Sequence, residues 1–270
     1  MRRPDEDRPL EGKGDLILVV DNVTVFFGGL AALSGVTFGA VRGEITALIG
    51  PNGSGKTTAL NVISGLRKPN RGEVLLEGQR ITGMSPHEIC ARGVGRTFQN
   101  LQLFQQMSVL ENVKVGLHSR TRTGFLRAMA RWPDMKREEK WVHEKAMAAL
   151  KAVGLAEKAH WIAGSLPYGD RKRLEIARAI VFDPVILLLD EPAAGLNIAE
   201  TQKLGEIFLS LREKGTSMLL VEHDMNLVMG ISDRVVVLHY GSKIAEGRPQ
   251  EVRRDPKVME AYLGGELPHA

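Results

Sequence analysis

A glycine-rich segment at residues 50–58 has the residue types of a phosphate-binding loop. It reads GPNGSGKTT, follows the apolar run EITALI and precedes a helix-like stretch. Glycines let backbone N–H groups approach phosphate oxygens, the lysine would reach the β- and γ-phosphates, and the first threonine would offer its hydroxyl to Mg²⁺. The loop is therefore predicted to bind nucleotide phosphates, through Gly50, Asn52, Gly53, Ser54, Gly55, Lys56, Thr57 and Thr58.

Two carboxylates stand at the end of another apolar run, VILLLDEP, at residues 185–192. Five consecutive apolar residues predict a buried parallel strand, and α/β proteins place their sites beyond the carboxyl ends of such strands. Asp190 could hold the water shell of a Mg²⁺ ion near Thr57, and Glu191 could polarise an attacking water. The alternative for Glu191 is a carboxylate that starts a helix or forms a salt bridge.

A histidine and a glutamine are weaker candidates. In SMLLVEHD, His223 lies just beyond a predicted buried strand. A lone histidine there is more often structural, but beside the other strand ends a contact with a γ-phosphate is favoured. Gln99, in GRTFQN, has the weakest signal of its own, because a glutamine in a loop is usually polar surface.

A second anion site is indicated by residues 164–180, which read GSLPYGDRKRLEIARAI. Apolar residues recur at helical spacing after Asp170, so a helix is predicted to begin near that residue. A helix start collects unpaired backbone N–H groups and the positive end of the dipole, which suits an anion. The phosphate loop already provides one anion site, which raises the question of whose phosphate this second site would hold.

These residues need strands and helices to bring them together. Residues 16–82 and 184–247 alternate β-rich runs with glycine turns or helices, whereas residues 100–182 lack β-branched runs and are predicted to be helical. This order indicates an α/β core interrupted by a helical subdomain at about 100–182, with the flanking parts sharing one sheet. The domain is predicted to span residues 16–270 and to follow a disordered, solvated tail at residues 1–15.

The composition argues against several classes of protein. With 43% hydrophobic and 25% charged residues, the 270-residue chain has room for a substantial core. No apolar run approaches 18 residues, so the chain is not expected to cross a membrane by itself. The one cysteine, Cys90, excludes an internal disulfide and fits a reducing compartment. No aromatic-and-basic module typical of nucleic-acid binding is present, so no nucleic-acid partner is expected.

The positive charge is concentrated in residues 118–145. This segment holds eight Lys/Arg and four Asp/Glu, so it accounts by itself for the net charge of +4. The plainer interpretation is a solvated helical face. The other is a surface that faces acidic headgroups or a membrane partner, which Trp132 and Trp141 favour.

In this order the motifs resemble the ATP-binding subunit of ABC transporters, over residues from about 16 to 264. Gln99 matches the glutamine of the family's Q-loop. LPYGD, at residues 166–170, stands where the family signature usually reads LSGGQ, and AGLN, at residues 194–197, matches the D-loop. His223 matches the family's switch histidine.

The resemblance implies a P-loop NTPase core with a mixed sheet and an inserted α-helical signature subdomain. It implies ATP and Mg²⁺ as cofactors, with Phe27 stacked on adenine, although that residue alone could equally belong to the core. In this family two subunits face head to tail around two ATP molecules, so Leu166 and Gly169 would contact the nucleotide held by the other subunit. The implied catalytic residues are Glu191, His223 and Gln99, and the implied metal-binding residues are Thr57, Gln99 and Asp190.

Further segments resemble the ATPase subunits of importers for branched-chain amino acids and related amides; they are FFGGLAALSGV, RTFQN, LEIARAI, DEPAAGLN and EHDMNLVMGISDRVVVL. Only 47 residues (270 − 223) follow His223, too few for the regulatory domain of sugar-importer ATPases. The resemblance implies that ATP-driven dimer closure powers import at the cytoplasmic face of the inner or plasma membrane, with the chain as a peripheral subunit. The implied partners are transmembrane permease subunits, a second ATPase subunit, identical or sibling, and indirectly a solute-binding protein.

Other functions share part of these motifs. The ATPase of a urea or amide importer, or of a lipopolysaccharide exporter, would share most of them. A soluble ABC ATPase that acts on ribosomes or DNA usually carries two phosphate loops or a long coiled coil, whereas this sequence has one loop. A phosphate-loop kinase would need an acceptor pocket and a lid, and would not explain LPYGD together with His223.

The signature departs from the usual family pattern at three positions. Pro167 replaces a serine and has neither a hydroxyl nor an N–H. Asp170 replaces a glutamine and brings a negative charge that is unfavourable beside a phosphate, although aspartate suits a helix start. Tyr168 replaces a glycine. These changes concern the strength of the ATP sandwich and not the fold.

Overall fold

A computed structural model of the chain describes residues 15–97, 102–117 and 133–263. The strands in these ranges are β1 (Leu16–Phe27), β2 (Leu30–Val41), β3 (Ile45–Ile49), β4 (Arg71–Leu76), β5 (Gln79–Arg80), β6 (Val94–Arg96), β7 (Ile186–Asp190), β8 (Ser217–Val221), β9 (Arg234–His239) and β10 (Ser242–Gly247). The α-helices are α1 (Lys56–Ile63), α2 (Pro86–Ala91), α3 (Val109–Val115), α4 (Pro133–Ala152), α5 (Tyr168–Ile180), α6 (Ile198–Glu213), α7 (Met225–Ile231), α8 (Pro249–Val252) and α9 (Pro256–Leu263).

The strands form two sheets and not one shared sheet. The first is antiparallel, in the order β2-β1-β4-β5, and the second has the order β10-β9-β3-β8-β7-β6. The prediction that the first and third parts of the chain share one sheet therefore holds only for β3. β1 and β2 are long strands joined by a tight glycine turn, and each has exposed as well as buried positions. Such strands suit an antiparallel sheet with one solvated face, whereas β3, which is buried at every residue, suits the parallel interior.

The second sheet positions the chemistry. β3, β7 and β8 are buried at every residue, as expected for parallel strands covered on both faces. β9, β3, β8, β7 and β6 run parallel to one another, and only β10 at the edge is antiparallel. The carboxyl ends of the parallel strands consequently lie along one edge, and the loops that follow β3, β7 and β8 start from it.

Three helices, α3, α4 and α5, pack against one another and share a core that includes Val113, Leu150 and Leu174. They lie in the segment that the sequence predicted to be helical. None of the helices in the described parts of the chain is long and apolar enough to cross a membrane. Most of the basic segment at 118–145, and the tail at 1–14, lie outside the described residues.

Helix α5 begins earlier than the sequence pattern indicated. It starts at Tyr168, two residues before Asp170, with Pro167 as its N-cap residue. Proline suits this position because its φ of −53° is preset and a helix start leaves its first N–H groups unpaired in any case. The Pro167 carbonyl accepts a hydrogen bond from the Arg171 N–H at 3.0 Å, which closes the first turn.

Candidate active site

The loop between β3 and α1 has the backbone geometry of a phosphate cradle. Gly50 has a φ of 150° and Gly55 a φ of 104°, which residues with a side chain rarely adopt. A Cβ atom on Gly50 would lie 2.1 Å from the Leu238 carbonyl oxygen, and one on Gly55 would lie 2.5 Å from the Ala32 carbonyl oxygen. Both positions therefore require glycine, and the loop folds tightly against β2 and β9.

The predicted phosphate ligands sit at the mouth of this loop. Gly55 is the N-cap residue of α1 and provides no side chain to cap the helix, so the first N–H groups of α1 are left for another acceptor. Asn52 and Thr57 are exposed, whereas Ser54 is buried and its hydroxyl has no hydrogen-bond partner among the described residues. A helix start with free donors and a buried hydroxyl beside it is suited to phosphate oxygens.

Lys56 turns back over the loop. Its ammonium group donates hydrogen bonds to the carbonyl oxygens of Gly50, at 2.8 Å, and Pro51, at 3.0 Å. Burial lowers the pKa of Lys56 from its ordinary value, while the carboxylates of Glu191 and Asp190 act in the opposite direction. The lysine thus lies within electrostatic reach of both acidic residues at the end of β7, which joins the first two predicted motifs in one site.

Asp190 ends β7 in a buried position with its carboxylate only partly bonded. Its Oδ2 atom lies 3.1 Å from an Nη atom of Arg96, and the two side chains are 3% and 9% exposed. Its Oδ1 atom is buried and has no hydrogen-bond partner among the described residues. Burial raises the pKa of Asp190, and the neighbouring Arg96 guanidinium opposes this effect. One carboxylate oxygen is thereby held and the other remains available to a cation.

Glu191 and His223 meet at the same edge of the sheet. The Nε2 atom of His223 lies 2.8 Å from the Oε1 atom of Glu191, although 32 positions separate them in the chain. Glu191 has a φ of 48°, a backbone conformation that costs energy for a residue with a side chain. Its N–H donates to the Val221 carbonyl at 2.9 Å and its carbonyl accepts from the Lys172 ammonium at 3.4 Å. These contacts hold the strained residue in place.

Glu222 is a buried residue that the sequence analysis did not identify. Its carboxylate accepts hydrogen bonds from the backbone N–H groups of Ala193, at 2.7 Å, and His223, at 3.0 Å. Burial raises the pKa of Glu222, and these backbone donors oppose the rise. Glu222 therefore fastens the segment after Glu191 to the segment that carries His223. A sequence signal did exist, because Glu222 directly follows an apolar strand, as Asp190 and Glu191 do.

The LPYGD segment is connected to the D-loop of its own chain. The Tyr168 hydroxyl donates to the Ala194 carbonyl at 3.3 Å. Leu166 is buried in the core, so only its backbone could contact a nucleotide, and Gly169 is buried in the first turn of α5. Lys172, one turn further along, is also buried, and it reaches the Glu191 carbonyl. Tyr168 and Lys172 thus link the start of α5 to the end of β7.

The Asp170 side chain is neutralised within the chain. Its carboxylate is bonded to the ammonium of Lys158 and the guanidinium of Arg173. Burial would raise the pKa of Asp170, but the hydrogen bond from Lys158 and the charge of Arg173 outweigh this effect and hold it below its usual value. The expected repulsion between this residue and a phosphate is consequently reduced.

Phe27 is the last residue of β1, and its ring is half exposed. The guanidinium carbon of Arg67 lies 4.1 Å from the centre of the ring. The same arginine donates to the Phe26 carbonyl at 2.7 Å, which fixes it beside the ring. The position is compatible with stacking on a base, which stays a prediction. Gln99 lies outside the described residues, and its predicted roles also stay predictions.

Comparison with known proteins agrees with this geometry. A family model described as "ABC transporter" matches residues 33–194, and one described as "Branched-chain amino acid ATP-binding cassette transporter" matches residues 242–267. The first match contains the phosphate loop, the LPYGD segment and the acidic residues after β7. The second covers β10 and the final helices.

Relatives that match over nearly their whole length are described as ATP-binding proteins of branched-chain amino acid transport. The chain is 45% identical over 249 residues to the high-affinity branched-chain amino acid transport ATP-binding protein LivG of Escherichia coli K12, covering 92% of this chain and 98% of that one. Identity and coverage are the same for BraF of Pseudomonas aeruginosa, which carries the same description.

Solved structures match as well. An ATP-binding cassette of an ABC transporter in its ADP conformation is 36% identical with a TM-score of 0.80, covering 92% of this chain and 99% of that chain. A dimeric bacterial ABC transporter cassette is 27% identical with a TM-score of 0.72, covering 86% and 98%. The chain therefore belongs to the ABC transporter family, as an ATP-binding subunit of the branched-chain amino acid transport group.

Proposed function

We propose that this ATPase powers a membrane importer for branched-chain amino acids. The observation that carries the ATPase activity is the convergence of Lys56, Asp190, Glu191 and His223 at one edge of the parallel sheet, with Glu191 and His223 2.8 Å apart. The substrate class is supported by the relatives LivG and BraF, whose descriptions name branched-chain amino acid transport.

Each residue has a task in hydrolysis. The loop N–H groups and Lys56 bind the β- and γ-phosphates and offset their charge. Glu191 accepts a proton at its carboxylate as water attacks the γ-phosphorus atom and the bond to the bridging β–γ oxygen breaks. His223 orients that carboxylate through the Nε2–Oε1 contact and would also contact the γ-phosphate.

A magnesium ion fits the donor set at this site. Mg²⁺ prefers oxygen ligands and is usually bound by one or two protein groups together with phosphates and water. Asp190 provides a buried carboxylate oxygen without a hydrogen-bond partner among the described residues, and Thr57 provides an exposed hydroxyl. We assign the metal to these two residues and to Gln99. When bound, the ion would neutralise charge on the phosphates.

The active unit is a head-to-tail pair of ATPase subunits. The description of a similar cassette as dimeric supports the pair, and the head-to-tail arrangement follows from the family resemblance. The ligand of the second predicted anion site, at the start of α5, is then the γ-phosphate bound by the other subunit, which Gly169 would face. Phe27 would hold the adenine ring. Phosphate release would remove the charge that both subunits share, and the pair would open.

The chain acts at the cytoplasmic face of the membrane, as a peripheral subunit bound to transmembrane permease subunits, and a solute-binding protein delivers the substrate to them. The helical subdomain, at about 100–182, is the proposed contact with the permease. Crosslinks from residues 102–117 to a permease subunit are expected. Crosslinks restricted to the region after residue 250 would contradict this assignment.

The experiment is uptake of labelled leucine into proteoliposomes that contain this chain with its permease subunits and binding protein. Leucine uptake should require ATP inside the vesicle and should be lost in the Lys56→Ala variant. Urea should not be taken up. ATP hydrolysis without leucine uptake, or uptake of urea instead, would overturn the proposed substrate class.

A further inference from the structure

Arg96, the last residue of β6, joins two parts of the nucleotide site. One terminal nitrogen, Nη2, lies 3.1 Å from Asp190 Oδ2 and 2.9 Å from the Asn61 side-chain oxygen. The other, Nη1, donates to the Leu60 carbonyl at 3.3 Å and to the Ser64 hydroxyl. Asn61, Leu60 and Ser64 belong to α1 or its C-cap, so the guanidinium ties the phosphate-loop helix to the end of β7.

The guanidinium is well suited to this task. It is planar and always charged, and its donors lie at fixed angles, so it can hold a carboxylate and three groups of α1 and its C-cap at once. The side chain is 9% exposed, which limits competition from water. A lysine, with one nitrogen, could not make all four contacts in this geometry.

The contact also leaves the two oxygens of Asp190 unequal. Arg96 occupies Oδ2, whereas Oδ1 is buried and has no hydrogen-bond partner among the described residues. The Asp190 backbone is held by the residue next to Arg96. The Asp190 N–H donates to the Thr97 hydroxyl at 3.4 Å, and the Thr97 N–H donates to the Leu188 carbonyl at 3.0 Å. The carboxylate therefore has a set orientation with one oxygen free.

We propose that Arg96 is a positioning residue for the metal, which holds Asp190 Oδ2 so that Oδ1 is presented to Mg²⁺. This inference rests on the proposed function, since it assumes that Asp190 binds the metal with the nucleotide. Groups that orient metal ligands commonly matter almost as much as the ligands, and their loss typically lowers metal affinity by about 10–100-fold. Arg96 would thus act on nucleotide binding only when the metal is present.

The test measures binding of a fluorescent ATP analogue as free Mg²⁺ is varied, in the parent and in the Arg96→Met and Arg96→Lys variants. In Arg96→Met, half-maximal binding should require about tenfold more Mg²⁺, while affinity in EDTA matches the parent. Arg96→Lys should require less Mg²⁺ than Arg96→Met but more than the parent. Lysine restores the positive charge but not the fixed arrangement of donors of the guanidinium. Arg42→Met is the matched control, since Arg42 also pairs with a carboxylate, that of Glu77, but both side chains are exposed.

The outcomes separate this role from a purely structural one. If Arg96→Met lowers the melting temperature but needs no more Mg²⁺ than the parent, Arg96 only fastens α1 to β7 and the proposal fails. Should Arg96→Met not fold, the test rests on Arg96→Lys. If Arg96→Lys reaches half-maximal binding at the same Mg²⁺ concentration as the parent, the proposal is overturned. A parent protein that binds the analogue equally well in Mg²⁺ and EDTA would overturn the proposed metal site itself.

Discussion

At the scale of single residues, Glu191 combines backbone strain with a proposed catalytic role. Its φ of 48° is unfavourable for a residue with a side chain, and such strain persists where surrounding contacts enforce it. The enforcing contacts come from both sides, from the Val221 carbonyl and from the Lys172 ammonium. In this conformation the Glu191 carboxylate lies 2.8 Å from the Nε2 atom of His223.

Glu191→Gln should keep ATP binding and nearly abolish turnover. An amide has almost the shape of a carboxylate and can still bond to His223, but it cannot accept the proton of an attacking water. Loss of a positioned base typically lowers the rate by about 10²–10⁴-fold. Phosphate release and titration with a fluorescent ATP analogue measure the two properties.

Glu206→Gln, at an exposed position of α6, provides the control and should leave both properties unchanged. Turnover near the parent rate in Glu191→Gln would show that Glu191 is not the base.

At the scale of elements, the start of α5 is anchored by its own charges. Pro167 gives the helix no side-chain cap, and Asp170 in the first turn bonds instead to Lys158 and Arg173. A negative charge in the first turn also interacts favourably with the helix dipole. The aspartate that looked unfavourable for phosphate binding therefore has a clear role in fixing the helix start.

Asp170→Asn should lower the free energy of unfolding at pH 7 by about 1.5–3 kcal/mol, the range for hydrogen bonds to charged groups. The pKa of Asp170 is held below its usual value in the folded chain, so its stabilising effect is complete above the unfolded pKa of about 3.9 and is lost as the pH falls below it. The difference in the free energy of unfolding between parent and variant should therefore decrease as the pH is lowered from about 5 toward 3.

Urea unfolding across this pH range measures the effect. Asp183→Asn is the matched control, because Asp183 also pairs with a lysine but is 74% exposed, and its loss should matter little at any pH. If the difference in the free energy of unfolding between parent and Asp170→Asn does not change with pH, the stabilising role assigned to the Asp170 charge is contradicted.

At the scale of the whole molecule, the proposed head-to-tail pair would give each chain halves of two nucleotide sites. The phosphate loop, Asp190, Glu191 and His223 would form one half, and the start of α5 would form the other. Inside the chain the two halves are linked, since Tyr168 bonds to Ala194 and Lys172 bonds to Glu191. These two hydrogen bonds connect the end of β7 and the segment after it to the surface that would meet the second subunit.

Pro167→Ser should strengthen ATP-dependent pairing in a Glu191→Gln background, which blocks hydrolysis. A serine hydroxyl could donate to the γ-phosphate of the facing site, and hydrogen bonds to charged groups contribute roughly 1.5–3 kcal/mol. Proline stiffens the loop by only about 0.4–1 kcal/mol, so serine should be favoured. Size-exclusion chromatography should show dimers at a lower ATP concentration.

Pro249→Ser, at the start of helix α8, controls for the loss of a proline. It should not change the ATP concentration at which half of the protein is dimeric. An unchanged or higher midpoint for Pro167→Ser would mean that the loop already binds through its backbone.

Much of the site was predictable from the sequence because its parts are local. The phosphate loop is one contiguous segment between a strand and a helix, and its glycines and lysine are adjacent in the chain. Asp190, Glu191 and His223 each follow an apolar run, and parallel strands bring their carboxyl ends to one edge. The comparisons confirm the family that these motifs predicted, and the descriptions of LivG and BraF name the predicted substrate group.

Only the tertiary structure decided how these segments bond to one another. Arg96 and Asp190 are 94 positions apart, and Glu222 and Ala193 are 29 apart, so no local periodicity could pair them. The division into two sheets likewise depends on which strands find partners after the chain has folded back. The neutralisation of Asp170 needed Lys158, which reaches it across the turn before α5. Local residue types determine which groups can do chemistry, whereas long-range packing determines which buried charges meet and therefore which oxygen of Asp190 stays free.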